Sequence, residues 1–232
     1  MPGLWHLSDL DWFGDLSDEE VTVLERSARV RGYDANQMIF RPTTEPHSVY
    51  LLRGGTVRIY RVSRQGAEAT FGYVRPGEIF GELTAVTGHR RESYAEAVTP
   101  CEVWQIPIEL FRKLRGSRPG VGRAVANQVG DRLKRIERRV EGLMFHDARS
   151  RLAIILRELG DHFGQGKGTG LEIDGEFTQG ELATLVGCSR QTLNQCLKEL
   201  SELGLAKMER RRVRLPDPAA LREFIEKEAR SE

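Results

Sequence analysis

At 232 residues, with 30% charged and 39% hydrophobic side chains, the chain is long enough for two domains that each bury a core. No apolar run approaches the roughly 18 to 20 residues of a membrane span, and the N-terminal MPGLWHLSDLDWFGD lacks a basic segment followed by an apolar one, so neither a membrane partner nor a secretory signal is expected. A net charge of +1 does not by itself suggest nucleic acid, which leaves the distribution of charge to decide.

In chain order, the first thirty residues read as helical. Ser17 is a cap with Glu20 three residues on, followed by Val21, Leu24 and a turn at Ala28. Acidic residues Asp9, Asp11, Asp15, Asp18, Glu19 and Glu20 crowd this end. From Gly32 to Ile106 the period changes to two. Short strands are expected at Met38–Phe40, Ser48–Leu52, Thr56–Val62, Ala69–Val74 and Cys101–Ile106, with glycines and Pro76 between them. Many short strands at regular turn spacing indicate an antiparallel barrel or jelly roll.

Pro119 to Phe145 reads as one long helix of roughly 40 Å. Val129, Leu133, Ile136, Val140 and Leu143 recur in steps of four and three, the narrow stripe of a two-helix seam. The alternative is that the stripe packs on its own barrel. The flanking Arg132, Lys134, Arg135, Glu137, Arg138 and Arg139 are expected to stay in water. Arg151 to Phe163 is a second amphipathic helix, with Leu152, Ile155, Leu156 and Leu159 on one side. The following GQGKGTG, Gly164 to Gly170, lacks phosphate-loop spacing and is expected to be a flexible surface loop.

Thr178 to Leu203 is the most informative stretch. Thr178 and Glu181 form a capping box, Leu182, Leu185 and Val186 bury one face, and Gly187 can take the left-handed conformation that stops the helix. Ser189 then caps a second helix with an apolar face of Leu193, Cys196, Leu197 and Leu200. Arg190, Gln191, Thr192, Asn194, Gln195 and Lys198 are left outside. A helix-turn-helix protein presents side chains to base edges from this end of its second helix. Arg suits the O6 and N7 of guanine, and Gln or Asn suits adenine. The plainer alternative is a helical hairpin with a polar solvent face. Two short strands, Leu205–Met208 and Val213–Leu215, follow around an Arg-rich turn. With Lys207, Arg210, Arg211, Arg212 and Arg214, they make a basic wing for backbone phosphate. Pro216 and Pro218 end the wing, and a terminal helix runs over Ala219–Ala229.

The three cysteines, Cys101, Cys188 and Cys196, have no metal-ligand spacing and point to a reducing cytoplasm. Cys188, near a helix N-terminus and Arg190, is open to a redox reading, although a structural role is preferred, and Cys196 reads as core. An enzyme of the cupin-like class needs a His/Glu metal cluster, and His47 and His89 have no H-x-H partner. A third class, a dimeric architectural protein, would bind DNA without reading it.

The order of parts, with R-P-G-E-I-F-G-E-L at Arg75–Leu83, C-E-V-W-Q-I at Cys101–Ile106 and V-G-C-S-R-Q-T at Val186–Thr192, resembles the CRP/FNR family of bacterial transcription regulators over nearly the whole chain. The resemblance implies an α+β fold. Residues 1–118 would form a β-roll of the cyclic-nucleotide-binding kind, 119–147 a dimerisation helix, and 148–232 a winged helix-turn-helix. It implies a cytoplasmic homodimer that binds a pseudo-palindromic promoter site in double-stranded DNA, bends it and meets RNA polymerase. Arg190 matches the family's guanine-contacting arginine. Gln191 stands where many members have glutamate, and Gln195 where cyclic-AMP-binding members have arginine.

In those members the G-E-L glutamate takes the ribose and an Arg-Ser pair clamps the phosphate. Here Gly81, Glu82, Leu83 and Arg91 are present, but Glu92 stands in place of the serine. Ile136 and Glu137 stand in place of the hydroxyl pair that holds the adenine. A carboxylate beside a cyclic phosphate is repelled by roughly 1 to 4 kcal/mol at contact, so cyclic AMP is not expected to bind. The four cysteines of an iron–sulfur sensor are missing. No axial haem ligand follows Glu82 until His89, and His6, His47, His89, His146 and His162 are dispersed. No cofactor or metal is therefore expected. Two readings of the roll stay open: it takes another small ligand, or the dimer is already in its DNA-binding form. The second is preferred because the known clamps are gone and no new one is evident.

Overall fold

The computed structural model describes residues 14–167, 170–173 and 177–229. His6, Asp9, Asp11, Gly168 and Thr169 lie outside the described residues. The chain divides into two compact units: residues through Arg61 with Gly72–Lys134, and Val62–Phe71 with Arg135–Glu232.

The first unit begins with α1 (Asp18–Ser27) and continues through β1 (Arg29–Tyr33), β2 (Met38–Phe40), β3 (Ser48–Gly54), β4 (Val57–Val62), β5 (Glu68–Val74) and β6 (Ile79–Phe80), apart from Val62–Phe71 between and within β4 and β5, which fall in the second unit. After α2 (Leu83–Thr87) come β7 (Tyr94–Ala97), β8 (Cys101–Pro107), α3 (Ile108–Ser117) and the start of α4 (Pro119–Phe145). The Ser17 capping box on Glu20 is present, but the helix stops at Ser27 with Ala28 as its C-cap, and Arg29 and Val30, expected to be helical, open strand β1 because they pair with Gln105 and Trp104. Two four-stranded sheets, in the orders β1-β8-β3-β6 and β2-β7-β4-β5, make an antiparallel roll.

Strand β3 shows how the layers stack. Tyr50 and Leu52 face a roll core shared with Phe40, Val57, Phe80, Ala95 and Val103. Val49 and Leu51 face the other way, onto Leu24, Phe111, Leu114, Val121 and Val125 of α1, α3 and α4. A strand covered on both faces must be apolar throughout, and each such residue contributes about 1.5 to 3 kcal/mol of burial.

The first turns of α4 therefore pack on their own roll, and Val129, expected in the seam, is also partly packed there. Further along, Leu133 is 53%, Val140 51% and Leu143 53% exposed, followed by Met144 and Phe145 at 71% and 65%. Arg132 and Arg139 do not stay in water as expected. Arg132 reaches Glu82 at 2.8 Å, and Arg139 donates to the carbonyl of Phe71 at 3.1 Å. Both guanidiniums find acceptors that a free-standing helix would not offer.

The second unit contains α5 (Ala148–Phe163), β9 (Gly164–Lys167), β10 (Gly170–Ile173), α6 (Gln179–Val186) and α7 (Arg190–Glu202). It closes with β11 (Lys207–Glu209), β12 (Arg212–Leu215) and α8 (Pro218–Ala229). Its sheet has the order β11-β12-β10-β9. The expected loop at Gly164 is thus corrected: Gly164–Lys167 is an edge strand laddered to β10, from Ile173↔Gly164 to Gly170↔Lys167. Glycines carry no side-chain pattern, so only the partner strand reveals the element. Helix α5 packs against α6, α7 and α8, with Leu152, Ile155, Leu156 and Leu159 buried. Among the described residues no helix is long and apolar enough to cross a membrane.

Candidate nucleic-acid interface and the roll cavity

Local chemistry shapes α7, the candidate reading helix. Thr178 Oγ1 accepts from the Glu181 amide at 3.1 Å, and Glu181 Oε2 accepts from the Thr178 amide at 2.7 Å, so two donors at the start of α6 are satisfied. Gly187 ends α6 at φ 70°, a left-handed conformation that costs a side-chain-bearing residue about 1 to 2 kcal/mol. Ser189 Oγ then accepts from the Thr192 amide at 3.0 Å to start α7. The turn is braced by Arg151 of α5, whose guanidinium donates to the carbonyls of Val186 at 2.8 Å, Gly187 at 3.3 Å and His146 at 2.7 Å.

Leu193, Cys196, Leu197 and Leu200 are buried, a spacing of three, four and seven that fixes which face of α7 looks inward. Ser189, Arg190, Gln191, Thr192, Asn194, Gln195 and Lys198 are all exposed. Arg190 Nε donates to Gln179 Oε1 at 3.2 Å, Gln195 Nε2 to Glu199 Oε1 at 2.9 Å, and Lys198 Nζ lies 3.8 Å from Glu202. The row combines forked cation, amides and hydroxyl, the donor and acceptor types that base edges require.

The wing turn between β11 and β12 places Arg210 at φ 58° and leaves Arg210, Arg211 and Arg212 exposed. With Lys207 and Arg214 they line a concavity of about 640 Å³ that also holds Glu172 and Glu209. Arg212 meets Glu172 at 3.2 Å and Lys207 meets Glu209 at 2.8 Å, so the wing keeps a positive excess suited to phosphate.

The roll holds a cavity of about 220 Å³ that brings together Gly81, Glu82, Leu83, Arg91 and Glu92, with His89, Ser93 and Arg132 also on its wall. Ile136 and Glu137 are not among its lining residues; the cavity takes only Arg132 from α4, one turn earlier. Glu82 is 1% exposed and paired to Arg132, but its Oε2 has no hydrogen-bond partner. Arg91 is 6% exposed, with its guanidinium carbon 4.1 Å from the Phe40 ring centroid. One nitrogen donates to the Ser48 carbonyl, whereas Nε and Nη1 have no partner.

Burial lowers the Arg91 pKa against the pull of Tyr50 and Glu82. Gly81, at φ 71°, is required by this packing, since a Cβ there would fall 2.4 Å from Arg91 Nη1. The Glu92 carboxylate is ion-paired to Arg61, which offsets part of the repulsion expected of it. The sequence reading missed Arg61 and Arg132. The signal for Arg132 was its position one turn before Ile136.

Of the two readings of Cys188, as a structural residue or as a redox thiol, its surroundings favour the structural one. Burial pushes its thiol up, and the opposing cation is Arg151 rather than Arg190, which is engaged with Gln179. Cys196 is buried and likewise pushed up. Both shifts run away from the low-pKa thiolate that an oxidant sensor needs.

Comparison with known proteins agrees with this geometry. Residues 30–118 match the cyclic nucleotide-binding domain, and residues 150–224 the Crp-like helix-turn-helix domain. The chain is 30% identical over 195 residues to the global nitrogen regulator of Synechococcus elongatus, covering 83% of this chain and 88% of that one. It is also 30% identical over 212 residues to the cyclic AMP receptor protein of Thermus thermophilus, covering 91% and 95%. Among solved structures, the c-di-GMP-responsive global regulator of Xanthomonas campestris superposes with a TM-score of 0.74 at 26% identity, covering 86% of this chain and 99% of that one. These relatives are regulators and not enzymes. The chain belongs to the CRP/FNR family of transcription regulators, with a helix-turn-helix DNA-binding domain.

Proposed function

We propose that the protein works as a homodimer reading a pseudo-palindromic promoter site, with one α7 entering the major groove at each half-site. The observation that carries this reading is the row Arg190, Gln191, Asn194 and Gln195 on the outer face of a capped, braced α7 beside a basic wing. The half-exposed Leu133, Val140 and Leu143 at heptad spacing supply a seam for two copies of α4. Two-fold symmetry then sets the half-sites about one duplex turn, roughly 34 Å, apart. Contact with RNA polymerase, in the cytoplasm, belongs to the same reading.

Cyclic AMP is not the effector in this account. Glu92 stands where cyclic-AMP-binding members carry a serine, and Ile136 and Glu137 offer no hydroxyl where those members hold the adenine. No cofactor, iron–sulfur cluster or haem is assigned. Isothermal calorimetry tests this: no heat of binding is expected, and micromolar affinity for cyclic AMP would overturn it.

A second reading is favoured by the unpartnered Arg91 nitrogens and Glu82 Oε2. Buried polar groups without partners are costly, and a small ligand with an anionic group and a hydroxyl would satisfy both. The sequence-based preference for a roll without a ligand is weakened by these orphaned atoms. A search for metabolites retained by the protein from cell extract, repeated with Arg91→Ala, separates the two.

A further inference from the structure

Gln195 lies in the reading row, yet its amide is not free to turn. Nε2 donates to Glu199 Oε1 at 2.9 Å, one helical turn further on. A carboxylate accepts and cannot donate, so only the NH2 end of the amide can face Glu199. Glu199 is held in turn: its Oε2 lies 3.9 Å from Arg149 Nη1 on α5. The Arg149 guanidinium is braced by Glu228 of α8 at 3.2 Å and by the Phe224 ring 5.5 Å away. A side chain on the groove face is thus tied to two helices behind it.

We propose that Glu199, anchored by Arg149, is a positioning residue that fixes the polarity of Gln195 and so makes α7 select adenine at the base Gln195 meets. The proposal rests on the reading above, that α7 meets base edges. With one N–H engaged by Glu199, Gln195 presents Oε1 beside its second N–H. One acceptor next to one donor is the complement of adenine N6 and N7. Guanine offers two acceptors, N7 and O6, and Oε1 would then face O6 lone pair to lone pair. A turned amide would lose this distinction. Arg149 acts at one remove, by holding the Glu199 carboxylate and offsetting its charge near the phosphates.

The test is selection of duplexes from a randomised library by the full-length protein and four variants. The native chain is expected to enrich adenine at one position of each half-site, and Gln195→Ala to flatten that position alone. Glu199→Ala should reduce the adenine-over-guanine preference there by roughly three- to tenfold, the entropy of one side chain left to wander, with the other positions unchanged. Glu199→Gln, whose amide can donate as well as accept and so no longer dictates which end of Gln195 faces it, should weaken the preference too. The proposal is overturned if Glu199→Ala keeps the native preference at that position, or weakens every position alike as a merely structural residue would. If Arg190→Ala alters the motif but Gln195→Ala does not, the positioning proposal alone falls. If neither alters it, α7 is not the reader and both readings fall.

Discussion

Leu143, in the last turn of α4, sits over Gly187 at the helix-turn-helix corner: a Cβ on residue 187 would fall 2.6 Å from Leu143 Cδ2. The end of α4 and the turn before α7 therefore pack directly on each other inside the second unit. Gly187→Ala must adopt φ 70° with a side chain and displace Leu143. It should lower stability by about 1 to 2 kcal/mol, measured as an earlier urea midpoint with unchanged slope. The flexible tip of Leu143 can move aside, so most of the destabilisation is backbone strain. Gly187→Asn, which tolerates that conformation better, should recover part of it.

Arg190→Ala should weaken specific binding by about 1 to 3 kcal/mol and blur one base position. Arg211→Ala or Arg212→Ala should weaken all sequences alike and reduce the salt slope of binding by about 0.9 for each phosphate that is no longer neutralised. Titrations at several salt concentrations on specific and random duplexes separate the two classes.

Which parts were legible depended on how local their causes are. The boxes at Ser17/Glu20 and Thr178/Glu181, the stop at Gly187 and the cap at Ser189 lie within four residues of what they bond, so the sequence reveals them directly. Strand β8 was legible from its spaced apolar positions and β2 from a short apolar run between turns. Tertiary pairing hid β9 among glycines, left β6 with only two residues, and made α2 too short to show a period. At the roll cavity, Glu82 and Arg91 were found, but their partners Arg132 and Ser48 lie 50 residues beyond the first and 43 before the second. No spacing rule connects them.

Asp147 caps α5 by accepting from the Ser150 amide at 2.7 Å. Burial raises its carboxyl pKa, but the hydrogen bonds from Ser150 outweigh that and leave it lowered. A lowered folded pKa means that the stabilisation is full above the unfolded value of about 3.9 and is lost as pH falls through the folded one. Asp147→Ala should therefore cost about 1 kcal/mol near neutrality. Its gap from the native chain should close below about pH 4, as followed by urea denaturation across a pH series.

Val140→Asp places a charge in the middle of the exposed stripe on α4. It should leave the helical signal intact while sedimentation velocity shifts from a dimer to a monomer. A dimer that survives this change would remove α4 from the interface.

The pairing of two reading helices on one site is tested most directly by the mass of the protein–DNA complex, formed from ligand-stripped protein and a selected duplex. The expected species carries two chains per duplex, loses tight binding when either half-site is scrambled, and binds no tighter when cyclic AMP is added. A complex with one chain per duplex, or one that forms only with cyclic AMP present, would contradict the account.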